Sequence, residues 1–207
     1  FDPDASGTGW SVTQTTASAY TITAEVGVAR LATAAGDDKR LKIWEQSMLR
    51  DYLNLDKNET QKILFGLIGQ GTNFGVKGVI YVCFGDTAYT TVDRTPDGFG
   101  VIAVGTGETF GGIPANTWAC FVGDGTDTTY VSGPALATGI VKWFIDAPIG
   151  DSVKFYLNGT LVTSIASPAR STNADNRGMC YWMNSDAGGF PGITFLGPII
   201  IQRDWDN

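Results

Sequence analysis

Histidine is absent from the 207 residues, and that absence removes the commonest catalytic sets. Ser-His-Asp and Cys-His nucleophile systems need an imidazole to carry the proton, and His-ligated zinc needs its ring nitrogen. What remains for hydrolysis is a pair of carboxylates, one protonating a leaving oxygen and the other acting as base or nucleophile. Alternate residues of a strand project to the same face, so a carboxylate pair is readily built as two acids on one strand. Glu25, Glu45, Glu59 and Glu108 are instead isolated from one another, and Glu45, beside Trp44, is the one read as lying in a strand. The three cysteines, Cys83, Cys120 and Cys180, are an odd number without paired metal-ligand spacing. They sit in the apolar runs YVCFG, WACFV and MCYWM and are expected to be small buried hydrophobes, neither bridged nor metal-bound. Reduced thiols suit a chain that folds in a cytoplasm.

Binding chemistry has more to work with. The loops Asp93 to Asp97 and Asp124 to Asp127, and Asp186 near Phe190, could offer oxygen ligands to calcium. Asp and Gly in hairpin loops serve turn geometry far more often than ions, so neither metal nor other cofactor is expected. Of the six tryptophans, Trp118, Trp143 and Trp182 lie in apolar runs and read as core, whereas Trp10 and Trp205 are nearer the ends and freer to touch a partner. Phe1, Trp10, Phe110, Ile113 and Trp205 are the candidate partner contacts. The formal charge of −7 and pI near 4.4 argue against nucleic acid or an anionic membrane as partner, because phosphate would repel the chain. No apolar run approaches the ~20 residues that cross a bilayer as a helix. The sequence opens on Phe1 with no leader pattern, and a processed or trimmed terminus is expected.

The elements that must position these residues are strands. Glycine numbers 27 and charged residues only 17%, a β-type composition. In residues 139–166, Ile140, Lys142 and Phe144 alternate with Val141, Trp143 and Ile145, and Val153, Phe155 and Leu157 alternate with Ser152, Lys154 and Tyr156. That period of two is a half-buried strand's. Residues 147–151 (APIGD) separate these two strands, and Asn158-Gly159 predicts a two-residue type I′ hairpin into residues 160–165, giving a three-stranded meander. Further strands are expected at residues 20–23, 28–31, 41–44, 62–68, 79–85, 98–104, 116–122, 178–183 and in the closing stretch 193–205. Residues 62–68 and 79–85 are the most apolar and should run through sheet centres. Residues 45–57 fit helical spacing about as well as a broken strand and are read as strand plus loop. Residues 1–19 read as an arm anchored by Trp10, and 20–207 as one domain, since all-β domains often reach this size undivided. The loop 105–115 and the arm are the expected sites of intermolecular contact.

Two stretches carry a resemblance. Trp143, a loop, then Val153-Lys154-Phe155-Tyr156, Asn158-Gly159 and Leu161-Val162 resemble the late strands of concanavalin A-like (laminin G-like) jelly rolls. Asn116-Thr117-Trp118 with the polar turn Gly123 to Asp127, together with a last hydrophobic strand at residues 197–201, is similar to the jelly-roll domains of tailed-phage virion proteins. The resemblance covers residues 60–205. It implies an all-β concanavalin A-like jelly-roll sandwich of two antiparallel sheets and about a dozen strands, with the terminal strands lying together. Glucanases of that fold carry Glu-x-Asp-x-(x)-Glu on one strand, and its polysaccharide lyases use Arg, Gln-x-His and Tyr strands. Neither pattern is present, so no enzyme activity is expected. The role implied is a non-enzymatic virion structural protein, a capsid decoration or other exterior phage protein. It would be made in the host cytoplasm, self-associate as a homo-oligomer and contact the major capsid protein or another virion protein. The alternative is a carbohydrate-binding, lectin-like module with a glycan as ligand.

Overall fold

The computed structural model describes residues 10–14, 20–25, 28–33, 39–45, 63–72, 78–86, 97–105, 112–124, 127–137, 140–147, 151–166, 177–185, 192–195 and 200–203. Side chains are described within 98–105, 112–123, 127–137, 140–147 and 151–166. In chain order the strands are β1 (Trp10–Gln14), β2 (Tyr20–Glu25), β3 (Val28–Thr33), β4 (Lys39–Glu45), β5 (Ile63–Thr72), β6 (Gly78–Asp86), β7 (Asp97–Val104) and β8 (Thr117–Asp124). They continue as β9 (Thr128–Ala135), β10 (Ile140–Ala147), β11 (Val153–Leu157), β12 (Thr160–Ile165), β13 (Arg177–Ser185), β14 (Gly192–Phe195) and β15 (Ile200–Arg203).

Two antiparallel sheets contain them all. One has the order β1-β4-β13-β6-β7-β8-β9, and the other β12-β11-β10-β5-β14-β3-β2, with β15 also paired to β5. The two long apolar runs form β5 and β6, each an interior strand of a different sheet, as their near-continuous hydrophobicity requires. The early strands and the end of the chain do meet. It is β14 that pairs with β3, while the last strand, β15, follows β14 along the same side of β5. Within the stretch read as an arm, Trp10–Gln14 is a strand paired to β4. The ambiguous residues 46–57 lie outside the described residues.

The meander β10-β11-β12 forms with the anticipated hairpin. Asn158 and Gly159 adopt φ of 51° and 84°, the paired positive values that a type I′ turn demands and that Asn-Gly tolerates best. The Asn158 side chain has a further task. Its Oδ1 accepts the Lys142 N–H at 2.9 Å, and its own N–H donates to the Lys142 carbonyl at 2.8 Å, which docks the turn onto β10. Asn116 is also left-handed, at φ 56°. Its N–H donates to Gly105 O at 3.4 Å and its carbonyl accepts the Leu136 N–H at 2.8 Å, so this residue ties the base of the β7–β8 connection to the end of β9.

No strand is expected from the sequence over residues 128–135, yet β9 is there. Proline is admissible because β9 is the last strand of its sheet. The glycine is required by a close approach: a Cβ at Gly133 would lie 3.0 Å from the Trp118 carbonyl oxygen. At this point the β8–β9 register slips between Thr117 and Ala119, as at a bulge.

The sheets meet through Trp118 of β8 and Trp143 of β10, whose rings are 5.6 Å apart at 67° in an edge-to-face contact. Such a pair adds about 0.5–1.5 kcal/mol beyond its burial. Val101, Val141, Ile145, Val153 and Phe155 are buried along with them, and each large side chain fully withdrawn from water contributes about 1.5–3 kcal/mol.

Candidate binding face

Strand alternation turns a core fact into a surface fact. In β10 the burial pattern is exposed, buried, exposed, buried, and Trp143 faces the other sheet. Ile140, Lys142, Phe144 and Asp146 therefore project from the opposite, outer face. The register carries that face across the meander. Phe144 is opposite Tyr156 and Tyr156 is opposite Leu161, while Asp146 is opposite Lys154 and Lys154 opposite Ser164. The Phe144 and Tyr156 rings are 6.0 Å apart and tilted by 53°. On its other side Phe144 is opposite Gly66 of β5, a residue with no side chain to lay over the ring. Ile140, Phe144 and Leu161 are consequently 55%, 42% and 52% exposed.

The result is a row, Phe144-Tyr156-Leu161, running across three strands. Polar groups border it, with Lys142 and Asn158 on one side and Asp146, Lys154 and Ser164 on the other. The outer face of the other sheet differs. There Ile102 and Val104 of β7 and Ala119 and Phe121 of β8 point away from Trp118, and all are buried. Phe121 lies 6.2 Å from the Tyr130 ring, and burial pushes the Tyr130 hydroxyl up in pKa against the opposing effect of a hydrogen bond with Thr128. Over β7 and β8 that face is closed, whereas the β10–β12 face is open.

The row offers apolar and aromatic contact area edged by charged and amide groups. Cys120 is buried, and desolvation pushes its thiol up to about 12, so at neutral pH it is a neutral thiol. Among the described residues no group of three His, Cys, Asp or Glu side chains could hold a metal ion, and no helix is long and apolar enough to cross a membrane. Of the acids singled out from sequence, Glu25 and Glu45 end β2 and β4, in different sheets. Glu59, Glu108 and Asp186 lie outside the described residues, and Asp127 is exposed before β9.

The five candidate contact residues are not brought together. Phe1, Phe110 and Trp205 lie outside the described residues, and Trp10 is the first residue of β1. Ile113 is buried within the domain at 4% exposure, so its side chain is packed inward. Phe144 and Tyr156 are not among the residues singled out from the sequence. In sequence Lys142 and Asp146 already mark that face of β10 as the one toward water, and the register with β11 and β12 adds Tyr156 and Leu161 to it.

No known protein family and no curated protein sequence matches the chain. Solved structures do resemble it in fold. One is botulinum neurotoxin type C, from a structure concerned with its interaction with two ganglioside molecules, at 8% identity and a TM-score of 0.55 over 93% of this chain and 42% of that one. Another is the binding domain of botulinum neurotoxin DC in complex with SialylT, at 8% identity and a TM-score of 0.55 over the same shares. A third is the alginate lyase of Corynebacterium sp., at 12% identity and a TM-score of 0.55 over 92% of this chain and 83% of that one. The chain spans less than half the length of the neurotoxin chains. Identities this low speak for the β-sandwich architecture and not for the activity.

Proposed function

We propose that this chain is a non-enzymatic binding domain, built as a concanavalin A-like jelly roll of about a dozen or more strands, that engages its partner through the outer face of β10–β12. The observation that carries this reading is the outer-face row in which Phe144 and Leu161 are exposed and Tyr156, between them, is half-buried. Aromatic side chains held rigidly on strands supply contact area at little cost in conformational entropy, and such residues dominate the energetics of protein interfaces. The setting, taken from the resemblance of Asn116-Thr117-Trp118 and of the meander, is the exterior of a tailed-phage particle. The partner is then a capsid or other virion protein.

A second reading has an observation of its own. An aromatic pair flanked by Lys142, Asp146, Lys154, Asn158 and Ser164 also fits a sugar, whose apolar face stacks on a ring while its hydroxyls meet the polar border. Neurotoxin binding domains and an alginate lyase among the similar folds support it. The two readings part in a paired assay of the purified protein and its Phe144→Ala/Tyr156→Ala variant, by co-sedimentation with phage particles and on a glycan array. Retention on particles that the variant loses favours the virion reading, and glycan signal that the variant loses favours the sugar reading. Binding that the variant keeps at full strength in both assays refutes the assignment of the face.

A further inference from the structure

We propose that the free edge of β12 is a self-pairing surface, on which a second copy of this chain lays its own β12 antiparallel, joining two sheets into one across a two-fold axis. β12 ends its sheet and is hydrogen-bonded to β11 alone among the described strands. An edge strand presents a row of unpaired N–H and C=O groups, and proteins that must stay apart blunt such an edge with charge, proline or a covering segment. The sequence Thr160-Leu161-Val162-Thr163-Ser164-Ile165 has neither charge nor proline, and three of its six residues are β-branched aliphatics or leucine. Thr160, Leu161 and Ser164 are exposed. Its one irregularity, a register shift opposite Phe155 and Tyr156, falls in the ladder with β11.

The neighbouring margin shows the contrast. β9 ends the other sheet and lies beside β12, and although both edges carry one register shift, only β9 carries Gly133-Pro134, and proline has no N–H to give an added strand. Charge favours identical copies as the occupant. A chain of net charge −7 repels itself, yet Lys154 is the only charged residue between 152 and 166, so two β12 edges meet without opposing acids. Antiparallel pairing about a two-fold needs one self-complementary strand, in which residue i meets j and j meets i. The dimer also sets two Phe144 faces side by side on one continuous sheet, which raises avidity for a repetitive partner. The pairing is independent of what that face recognises.

The test is sedimentation of the wild-type chain and of Thr160→Lys, which brings a like charge from each copy to the seam and leaves the Phe144-Tyr156-Leu161 row and its polar border in place. The wild type is expected at twice the 22.0 kDa chain mass at micromolar concentration, and the variant at the single-chain mass with an unchanged circular dichroism spectrum. If the variant fails to fold, hydrogen exchange of the wild type at low and high concentration decides, because pairing protects amides in residues 160–166 as concentration rises. A wild type that stays monomeric, a variant that stays dimeric, protection confined to other segments, or protection of β12 only on adding a different protein each overturns the proposal.

Discussion

Asn158 holds the hairpin that presents Tyr156, and its two contributions can be measured apart. Its backbone sits at φ 51°, where an L-residue other than Asn, Asp or Gly is strained by about 1–2 kcal/mol. Its Oδ1 accepts the Lys142 N–H at 2.9 Å, and an intramolecular hydrogen bond contributes about 0.5–1.5 kcal/mol net. Asn158→Ala loses both, a destabilisation of about 1.5–3.5 kcal/mol if the two contributions add. Asn158→Gly restores the left-handed conformation and loses only the bond, with a smaller penalty of about 0.5–1 kcal/mol from the greater freedom of glycine in the unfolded chain. Urea unfolding monitored by tryptophan fluorescence should therefore rank wild type above Asn158→Gly and Asn158→Gly above Asn158→Ala, with similar m-values. An alanine variant as stable as wild type, or a glycine variant less stable than the alanine one, refutes the reasoning from φ and the docking bond.

Three further outcomes follow from the core. Gly133→Ala forces a Cβ to 3.0 Å from the Trp118 carbonyl oxygen, and overpacking of this kind costs about 1–3 kcal/mol, readable as a lower midpoint in chemical denaturation. The Trp143 indole N–H is buried without a hydrogen-bond partner among the described residues, so Trp143→Phe, which removes that donor, should cost well under the about 3–5 kcal/mol of Trp143→Ala. Burial raises the Cys120 thiol from 9.0 to about 12. The group is neutral in both states below pH 9, and its contribution is lost as pH rises from about 9 toward 12, by up to about 1.4 kcal/mol per pH unit. Stability measured across that range should fall less steeply in Cys120→Ala.

Local order was legible in the chain, and non-local order was not. The alternation through residues 140–157 and the Asn158-Gly159 pair contain the meander because strand period and turn geometry are properties of neighbouring residues. β9 was hidden because Gly133-Pro134 answers to Trp118 and to an edge position, both set by chain far away in sequence. The pairing of β10 with β5, and of β3 with β14, likewise depends on closure over long loops that leaves no local trace. The outer face of β10 was legible in part. Lys142 and Asp146 mark it as the side toward water, whereas the alignment of Phe144 with Tyr156 and Leu161 is set by the register of three strands. Asn116-Thr117-Trp118 was visible as a motif, but its physical basis, a left-handed asparagine clasping Gly105 and Leu136, emerges only from the backbone.

Hydroxyl-radical footprinting, with and without partner bound, bears most directly on the claim that the outer face of β10–β12 is the recognition surface. Phe144, Tyr156 and Leu161 should be oxidised readily in the free protein, while Trp143 and Phe155 stay protected, and particle or glycan binding should suppress oxidation of that row first. A row already protected in the free chain, or one oxidised equally when the partner is bound, contradicts the account.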